Sequence, residues 1–459
     1  MRPVTAQWVA NAVRGTLAAD VDTTIHGVDN DSRAVRPGWL YVAFIGERVD
    51  GHDFVPQAVA AGASLSLVSV PVDAPHVLVE DVTVALGLLA RAYLALLRTE
   101  GELVVIGITG SNGKTTTKDL LAQALPDVVA PVGSFNNEIG LPLTILRADA
   151  STRHLVLEMG ASGLGHIAYL TGIAPLDIAV ALIVGTAHMG EYASPEQVAT
   201  AKSEIVLGLV PSGVAVLNAD DARVAAMATL APRAVTFGIG HGNVAAGTVS
   251  SDRGRAHAAV TLAGEPPIEL EARTLALVGE HHLTNALAAL AVCLECGLDP
   301  HEAWARVAAA GPLSRHRMAV TERPDGITVI DDAYNASIES MRAALRALKH
   351  VADGGRTVAV VGEILELGDA SATIHTEIGT DVVRLGIDHL IVVGPGARPA
   401  YVAAVREGSW GDEAAYVATI GEARELLDTM LNPGDTVLVK ASHGSGLWEL
   451  ADQLVGGVA

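Results

Sequence analysis

Cysteine is nearly missing from this 459-residue chain, which has two, Cys293 and Cys296. They share one Ala/Leu-rich stretch with no third or fourth ligand beside them. A disulfide framework and a cysteine metal site are therefore not expected, and both thiols read as small buried hydrophobes in a reducing compartment. Aromatic residues make up only 3% of the chain, and Ala, Val, Leu and Gly take their place. That composition favours alternating strands and helices over an all-β sandwich. Cations are also short, with 30 Lys and Arg against 52 Asp and Glu and a formal charge of −22. Such a chain has no general attraction to nucleic acid or anionic lipid, so any anionic ligand must be met by local groups. Long hydrophobic runs are lacking too. The run at 178–184 is well short of the ~20 residues that span a bilayer, and the first twenty residues have no apolar core of the kind a secretion signal needs. A cytoplasmic protein with no membrane insertion and no nucleic-acid partner is expected.

What is present is a glycine-rich segment at 107–117, Gly-Ile-Thr-Gly-Ser-Asn-Gly-Lys-Thr-Thr-Thr, between the apolar run 103–106 and a helix-like stretch. Gly110 and Gly113 let backbone N–H groups crowd a phosphate. Lys114 can reach β/γ oxygens, and the Thr115 hydroxyl can hold Mg²⁺. The spacing is off the standard phosphate loop, which has a glycine where this chain has Ile108, Gly107 falling one step early.

Three domains suit this length. Residues 1–81 show short strands at 39–45, 64–70 and 77–79 and one helix near 56–61, as in a small recognition domain. A helix at 82–98 leads into the phosphate loop. Strands at 153–159, 178–184, 213–218 and 234–238 then imply a mostly parallel sheet, with an antiparallel insertion at 241–275 and a helix at 284–296 closing a central domain at 82–312. Strands at 327–331, 357–361, 389–393 and 436–440, alternating with helices at 338–351, 372–385 and 421–431, give residues 313–459 a dinucleotide-fold rhythm. The expected class is α/β throughout.

Polar residues at strand ends supply further chemistry. Glu158 closes the run Leu-Val-Leu-Glu-Met-Gly, and His188 follows another strand in Gly-Thr-Ala-His-Met-Gly. The carboxyl ends of strands are where an α/β sheet places its ligand. Lys202 and Glu204 follow shortly afterwards, where the pattern predicts a helix.

With Thr109-Gly110-Ser111-Asn112-Gly113-Lys114-Thr115-Thr116, Glu158, His188 and the Ala-Lys202-Ser-Glu-Ile context together, the chain resembles the Mur ligases, ATP-dependent amide-forming enzymes of peptidoglycan precursor synthesis. Asn136-Asn137-Glu138-Ile139-Gly140, Asp331-Asp332-Ala333-Tyr334-Asn335-Ala336 and Gly362-Glu363-Ile364-Leu365-Glu366-Leu367-Gly368 with His375 resemble the branch that adds D-alanyl-D-alanine. The resemblance implies ATP held by residues 110–116 with Asn285, Arg317 and Asp332. It also implies two Mg²⁺ sites, one served by Thr115 and the other by Glu158, His188 and a carbamylated Lys202. Lys114, Lys202, His188 and Glu158 would carry the catalysis. UDP-N-acetylmuramoyl-tripeptide and D-alanyl-D-alanine would meet Ser32, Arg33, His52, Asn136, Asn137, Tyr334 and Asn335. The chain departs from the family pattern at His166, Val184, His282, Ser337, Ile338 and His443. A monomer that activates a carboxylate as an acyl phosphate is implied, with a hinge near 311–314. A Mur-type ligase with another acceptor, such as D-alanyl-D-lactate, and a nucleotide-driven switch are the alternatives.

Overall fold

The structure, a computed structural model, describes residues 1–46, 49–185, 194–408 and 413–456. Its elements gather into three sheet-based units. In the first, strands Thr16–Ala18, His76–Leu78, Leu65–Val68, Trp39–Val42 and Gly27–Asp29 lie side by side in that order. All these pairings are parallel except that of Thr16–Ala18 with His76–Leu78. A helix at Ala6–Val13 starts from Thr5, whose hydroxyl accepts the Trp8 N–H at 3.1 Å. The sequence pattern had offered one helix here, near 56–61, where Val55–Ala60 lies. The eight-residue helix is too short to show a clear period, and it is held by burying Val9, Ala10 and Val13.

Helix Val82–Arg98 joins this unit to the next. Asp81 caps it by accepting the Val84 N–H at 3.0 Å. Leu86, Leu89, Ala90, Tyr93, Leu94 and Leu97 form its buried face. The Tyr93 hydroxyl donates to the Ala148 carbonyl at 2.7 Å and accepts the Arg2 N–H at 2.6 Å, pinning the helix between the two units.

The central sheet runs Val244–Ala246, Ala234–Ile239, Leu209–Asn218, Leu176–Ala181, Val104–Thr109, His154–Glu158, Val128–Val129, all parallel. Strands Ser250–Asp252, Arg255–Leu262 and Ile268–Thr274 extend it antiparallel, so the insertion expected at 241–275 is antiparallel except at Val244–Ala246, which pairs parallel with Ala234–Ile239. The middle strands are buried on both faces, which is why they read as continuous Val/Ile/Leu runs. Helix His282–Glu295 is buried on nearly every side, and Ala residues let it pack close against the sheet. Cys293 is buried in it, and burial pushes both the Cys293 and Cys296 thiols up to about 12, so neither is a reactive thiolate.

The third unit orders its strands Ala319–Glu322, Thr328–Asp332, Thr436–Lys440, Thr357–Val361, His389–Val393, Ala414–Val417. Only the first pairing is antiparallel. Helix Arg398–Glu407 and strand Ala414–Val417 here, and helix Pro300–Ala309 in the central unit, are additional to the sequence expectation. Among the described residues, no helix is long and apolar enough to cross a membrane.

Candidate active site

Strand Val104–Thr109 has His154–Glu158 on one side and Leu176–Ala181 on the other, so the chain winds away from it in both directions. A crevice opens at the carboxyl end of such a strand, where ligands of open α/β sheets bind. Loop 110–113 occupies that end and leads into helix Lys114–Ala124. Gly113 has φ +87°, and an added Cβ would stand 2.3 Å from Asn285 Oδ1. A Cβ at Gly110 would stand 2.9 Å from that of Leu182. Both positions therefore need glycine. Gly107 is a strand residue instead, where a Cβ would meet Leu176 at 2.5 Å. Its early position reflects strand packing, not phosphate contact.

Lys114 Nζ donates to the Gly110 carbonyl at 2.7 Å, folding its ammonium over the loop. Burial lowers its pKa, nearby Glu158 opposes that shift, and nearby Arg317 adds to it. The Thr115 hydroxyl lies 3.0 Å from Glu158 Oε2 and 2.8 Å from Ser134 Oγ. Glu158 ends its strand 1% exposed, and Asn136 Nδ2 donates to its Oε1 at 3.1 Å. No ion pair reaches this carboxylate among the described residues; its hydrogen bonds come from neutral groups. Arg317 enters from the third unit and donates to Ser134 Oγ at 3.0 Å and Thr115 Oγ1 at 3.2 Å, its guanidinium 4.2 Å over the Tyr334 ring. Arg317 Nε is buried without a partner.

Lys202 lies on helix Pro195–Leu207 and is 7% exposed. Burial, with Lys114 nearby, lowers its pKa to about 7. Glu204, on the same helix, has a different task. Its carboxylate accepts the Gly165 and Ala168 N–H groups at 2.6 and 2.9 Å, closing the start of helix His166–Ile173.

Two cavities flank Thr115 and Arg317. One, of about 490 Å³, is lined by Asn112, Gly113, Thr116, Asn285, Asp332 and Asn335, with Leu182, Ile183, Ile239 and Met318 as its apolar wall. A slot with apolar walls beside a phosphate loop suits a nucleoside. Asp332 is held by Lys440, whose Nζ donates to Oδ2 at 2.6 Å, and by the Met318 N–H at 3.1 Å. His282, one of the departures from the family pattern, is buried; its Nδ1 accepts an Asn285 Nδ2 hydrogen at 3.2 Å, and burial lowers its affinity for a proton. Ser111, beneath the loop, accepts the Gly185 N–H at 2.9 Å. The second cavity, about 640 Å³, lies on the other side of Thr115 and is lined by Lys118, Ser134, Arg147, Tyr334 and His443.

Of the residues singled out in the sequence, Lys114, Thr115, Glu158, Asn136 and Arg317 meet at one centre, and Asn112, Gly113, Thr116, Asn285, Asp332 and Asn335 surround the nucleoside-sized cavity. Others are engaged elsewhere. The Asn137 side chain accepts the Gly140 N–H at 2.9 Å and so fixes a helix start. Ser32 bonds Gln57 at 3.0 Å, His52 pairs with Asp50 at 2.6 Å, and Arg33 pairs with Asp31 at 2.8 Å, all within the first unit. His188 lies outside the described residues. Ser134 and Lys440 are members of the assembly that sequence reading missed. Nothing local marks Ser134, and Lys440 takes its role from pairing opposite Asp332 across the sheet.

An arginine brought onto a glycine-rich loop from a separate α/β unit is an arrangement suited to nucleotide-dependent group-transfer enzymes, and the protein falls in that class. Comparison with known proteins narrows it. Residues 24–93, 108–293 and 316–443 match the models of the Mur ligase family catalytic domain, the Mur ligase middle domain and the Mur ligase glutamate ligase domain. A UDP-N-acetylmuramoyl-tripeptide–D-alanyl-D-alanine ligase of Mycobacterium leprae is 45% identical over 94% of this chain and 92% of its own length. The Bacillus subtilis protein of the same name is 36% identical over 98% of both. Crystal structures of MurF from Acinetobacter baumannii (TM-score 0.87, 31% identity, 99% of both chains) and from Thermotoga maritima in complex with ADP (0.76, 30%, 95% of this chain and 99% of that one) share the fold. The chain belongs to the Mur ligase family.

Proposed function

We propose that this enzyme joins D-alanyl-D-alanine to UDP-N-acetylmuramoyl-tripeptide at the expense of ATP, through an acyl phosphate, as a cytoplasmic monomer. The arrangement that carries this reading is the meeting of Lys114, Thr115, Glu158 and Arg317 beside a nucleoside-sized cavity, in a chain whose full-length relatives bear that activity in their names.

The reaction brings a carboxylate against a triphosphate, and like charges repel. Lys114, Arg317 and the N–H groups of loop 110–113 supply the opposing field in a partly dry site. Positioning and charge neutralisation suffice for γ-phosphoryl transfer, so no protein nucleophile is needed. A tripeptide carboxylate oxygen attacks the γ-phosphorus, and the bond to the β–γ bridging oxygen breaks, leaving ADP. The dipeptide amine then adds to the acyl carbon, and the tetrahedral species loses phosphate and a proton to leave the amide.

Divalent cations fit this centre, because Glu158 is a buried carboxylate with no cation in contact among the described residues and faces the loop threonine. Thr115 would serve one Mg²⁺, and Glu158, His188 and a carbamylated Lys202 the other. When bound, they would neutralise the phosphate oxygens. Carbamylation suits Lys202, since a buried amine with pKa lowered to about 7 has a large neutral fraction at neutral pH, free to add CO₂. The product would be an anion near Lys114 instead of a second cation.

Tripeptide labelled with ¹⁸O in its terminal carboxylate tests the acyl phosphate. Inorganic phosphate carrying one ¹⁸O atom is expected, and unlabelled phosphate formed alongside the amide contradicts it.

A further inference from the structure

The segment Ser314–Met318, which carries Arg317 into the reaction centre, is anchored at every residue. Ser314 is fixed to the phosphate-loop helix, its N–H and hydroxyl donating to the two Asp119 oxygens at 2.9 and 3.0 Å, while Lys118 Nζ donates to its Oγ at 3.1 Å. Lys118 and Asp119 are themselves a buried ion pair. Arg315 pairs with Asp452 at 2.9 Å. His316 is buried, with Nδ1 2.7 Å from Asp331 Oδ2, and its carbonyl accepts the Tyr334 N–H at 3.2 Å. The Met318 N–H is held by Asp332.

The backbone here is unusual. His316 has φ +58° and Met318 φ +49°, a left-handed conformation that side-chain-bearing residues seldom adopt, on either side of Arg317. Such residues persist where their surroundings over-determine them, and they cluster where geometry serves function. Turning the chain twice within three residues directs Arg317 onto Thr115 and Ser134 while its ring contact remains on Tyr334.

We propose that His316 and Asp331 are a positioning pair, holding the left-handed turn that delivers Arg317 to the phosphates. The proposal rests on the reading of Arg317 given under the proposed function. Neither residue touches Thr115, Glu158 or Ser134 among the described contacts. Their effect passes through the backbone of a single neighbouring residue, while Asp119 and Ser314 fix the segment's other end to the helix that starts at Lys114. The pair therefore bears on the chemical step, where a small misplacement of a charged group is costly.

Three substitutions separate backbone from bond. His316→Asn keeps both a residue type tolerant of the left-handed region and an N–H that can donate to Asp331. His316→Gly keeps the backbone freedom and loses the donor, and His316→Ala loses both. We expect kcat to fall about tenfold or more in the Gly and Ala enzymes, with the Gly enzyme folded but lower in Tm and its KM for tripeptide near wild type, and the Asn enzyme to retain at least about a third of wild-type kcat. Asp331→Asn, which keeps shape and weakens the bond, should follow the Gly enzyme and supplies the test if the Ala enzyme does not fold. The pair is overturned if the Gly and Asp331→Asn enzymes keep more than about half of kcat, or if the Asn enzyme falls as far as the Gly enzyme. Arg317→Ala is the control: if it keeps wild-type kcat, the reading of Arg317 itself fails, and if it alone loses turnover, only the positioning pair fails.

Discussion

A few single residues carried most of what the sequence makes legible about the centre. Thr115 stands in a phosphate-loop context, Glu158 closes a strand as a hard oxygen ligand, and Arg317 is implied by the family resemblance; the three lie within hydrogen-bond reach of one another or of shared partners. The side chains of Ser32, His52 and Asn137, which the resemblance implies for substrate, satisfy local backbone and side-chain groups in the structure. A motif gives residue types but not the direction in which a side chain is already committed. Lys202 is the residue whose chemistry the structure sharpens most. With its pKa lowered to about 7 by burial, the neutral amine grows from a minor to the major form as pH rises through that value. At a fixed pressure of CO₂, native mass spectrometry should therefore show an adduct of about 44 Da increasing between pH 6 and pH 8 and absent from Lys202→Arg. A mass without the adduct at pH 8 contradicts carbamylation.

At the level of elements, periodicity was legible where local signals agreed. Helix Val82–Arg98 has an apolar stripe, an Asp cap and a basic last turn, and its extent follows from them. The two- and three-residue strands at Thr16–Ala18, Thr24–Ile25 and Gly27–Asp29 have no such signature, because their pairing partners lie elsewhere in the chain. The phosphate loop falls between these cases: its glycines were evident, but only the fold shows that Gly113 yields to Asn285, from a helix far along the sequence. Gly113→Ala should thus strain a left-handed position and push into Asn285 together. Affinity for a non-hydrolysable ATP analogue, measured by calorimetry, is expected to fall about tenfold or more. Wild-type affinity in that variant contradicts the placement of the nucleotide against this turn.

For the molecule as a whole, the α/β class and the parallel rhythm followed from composition and spacing, whereas the approach of the third unit to the phosphate loop was implied only by the family resemblance, through Arg317, Asp332 and a hinge near 311–314. Contacts such as Asn112 to Ser337 at 3.2 Å and Arg317 to Ser134 join positions some two hundred residues apart, and no local pattern encodes them. That closure is what turns a phosphate loop into a site with a second cavity beside it, and hence a triphosphate binder into a candidate ligase. A nucleotide-driven switch would release phosphate from ATP alone, whereas a ligase must couple that release to both substrates. The most direct measurement is phosphate release by the full chain with Mg²⁺ and ATP, with UDP-N-acetylmuramoyl-tripeptide and D-alanyl-D-alanine each supplied or withheld. Sustained release only when both are present, matched one for one by the amide product and lost in Lys114→Ala, is the predicted result. Release that persists without either substrate, or that yields no amide, would contradict the account.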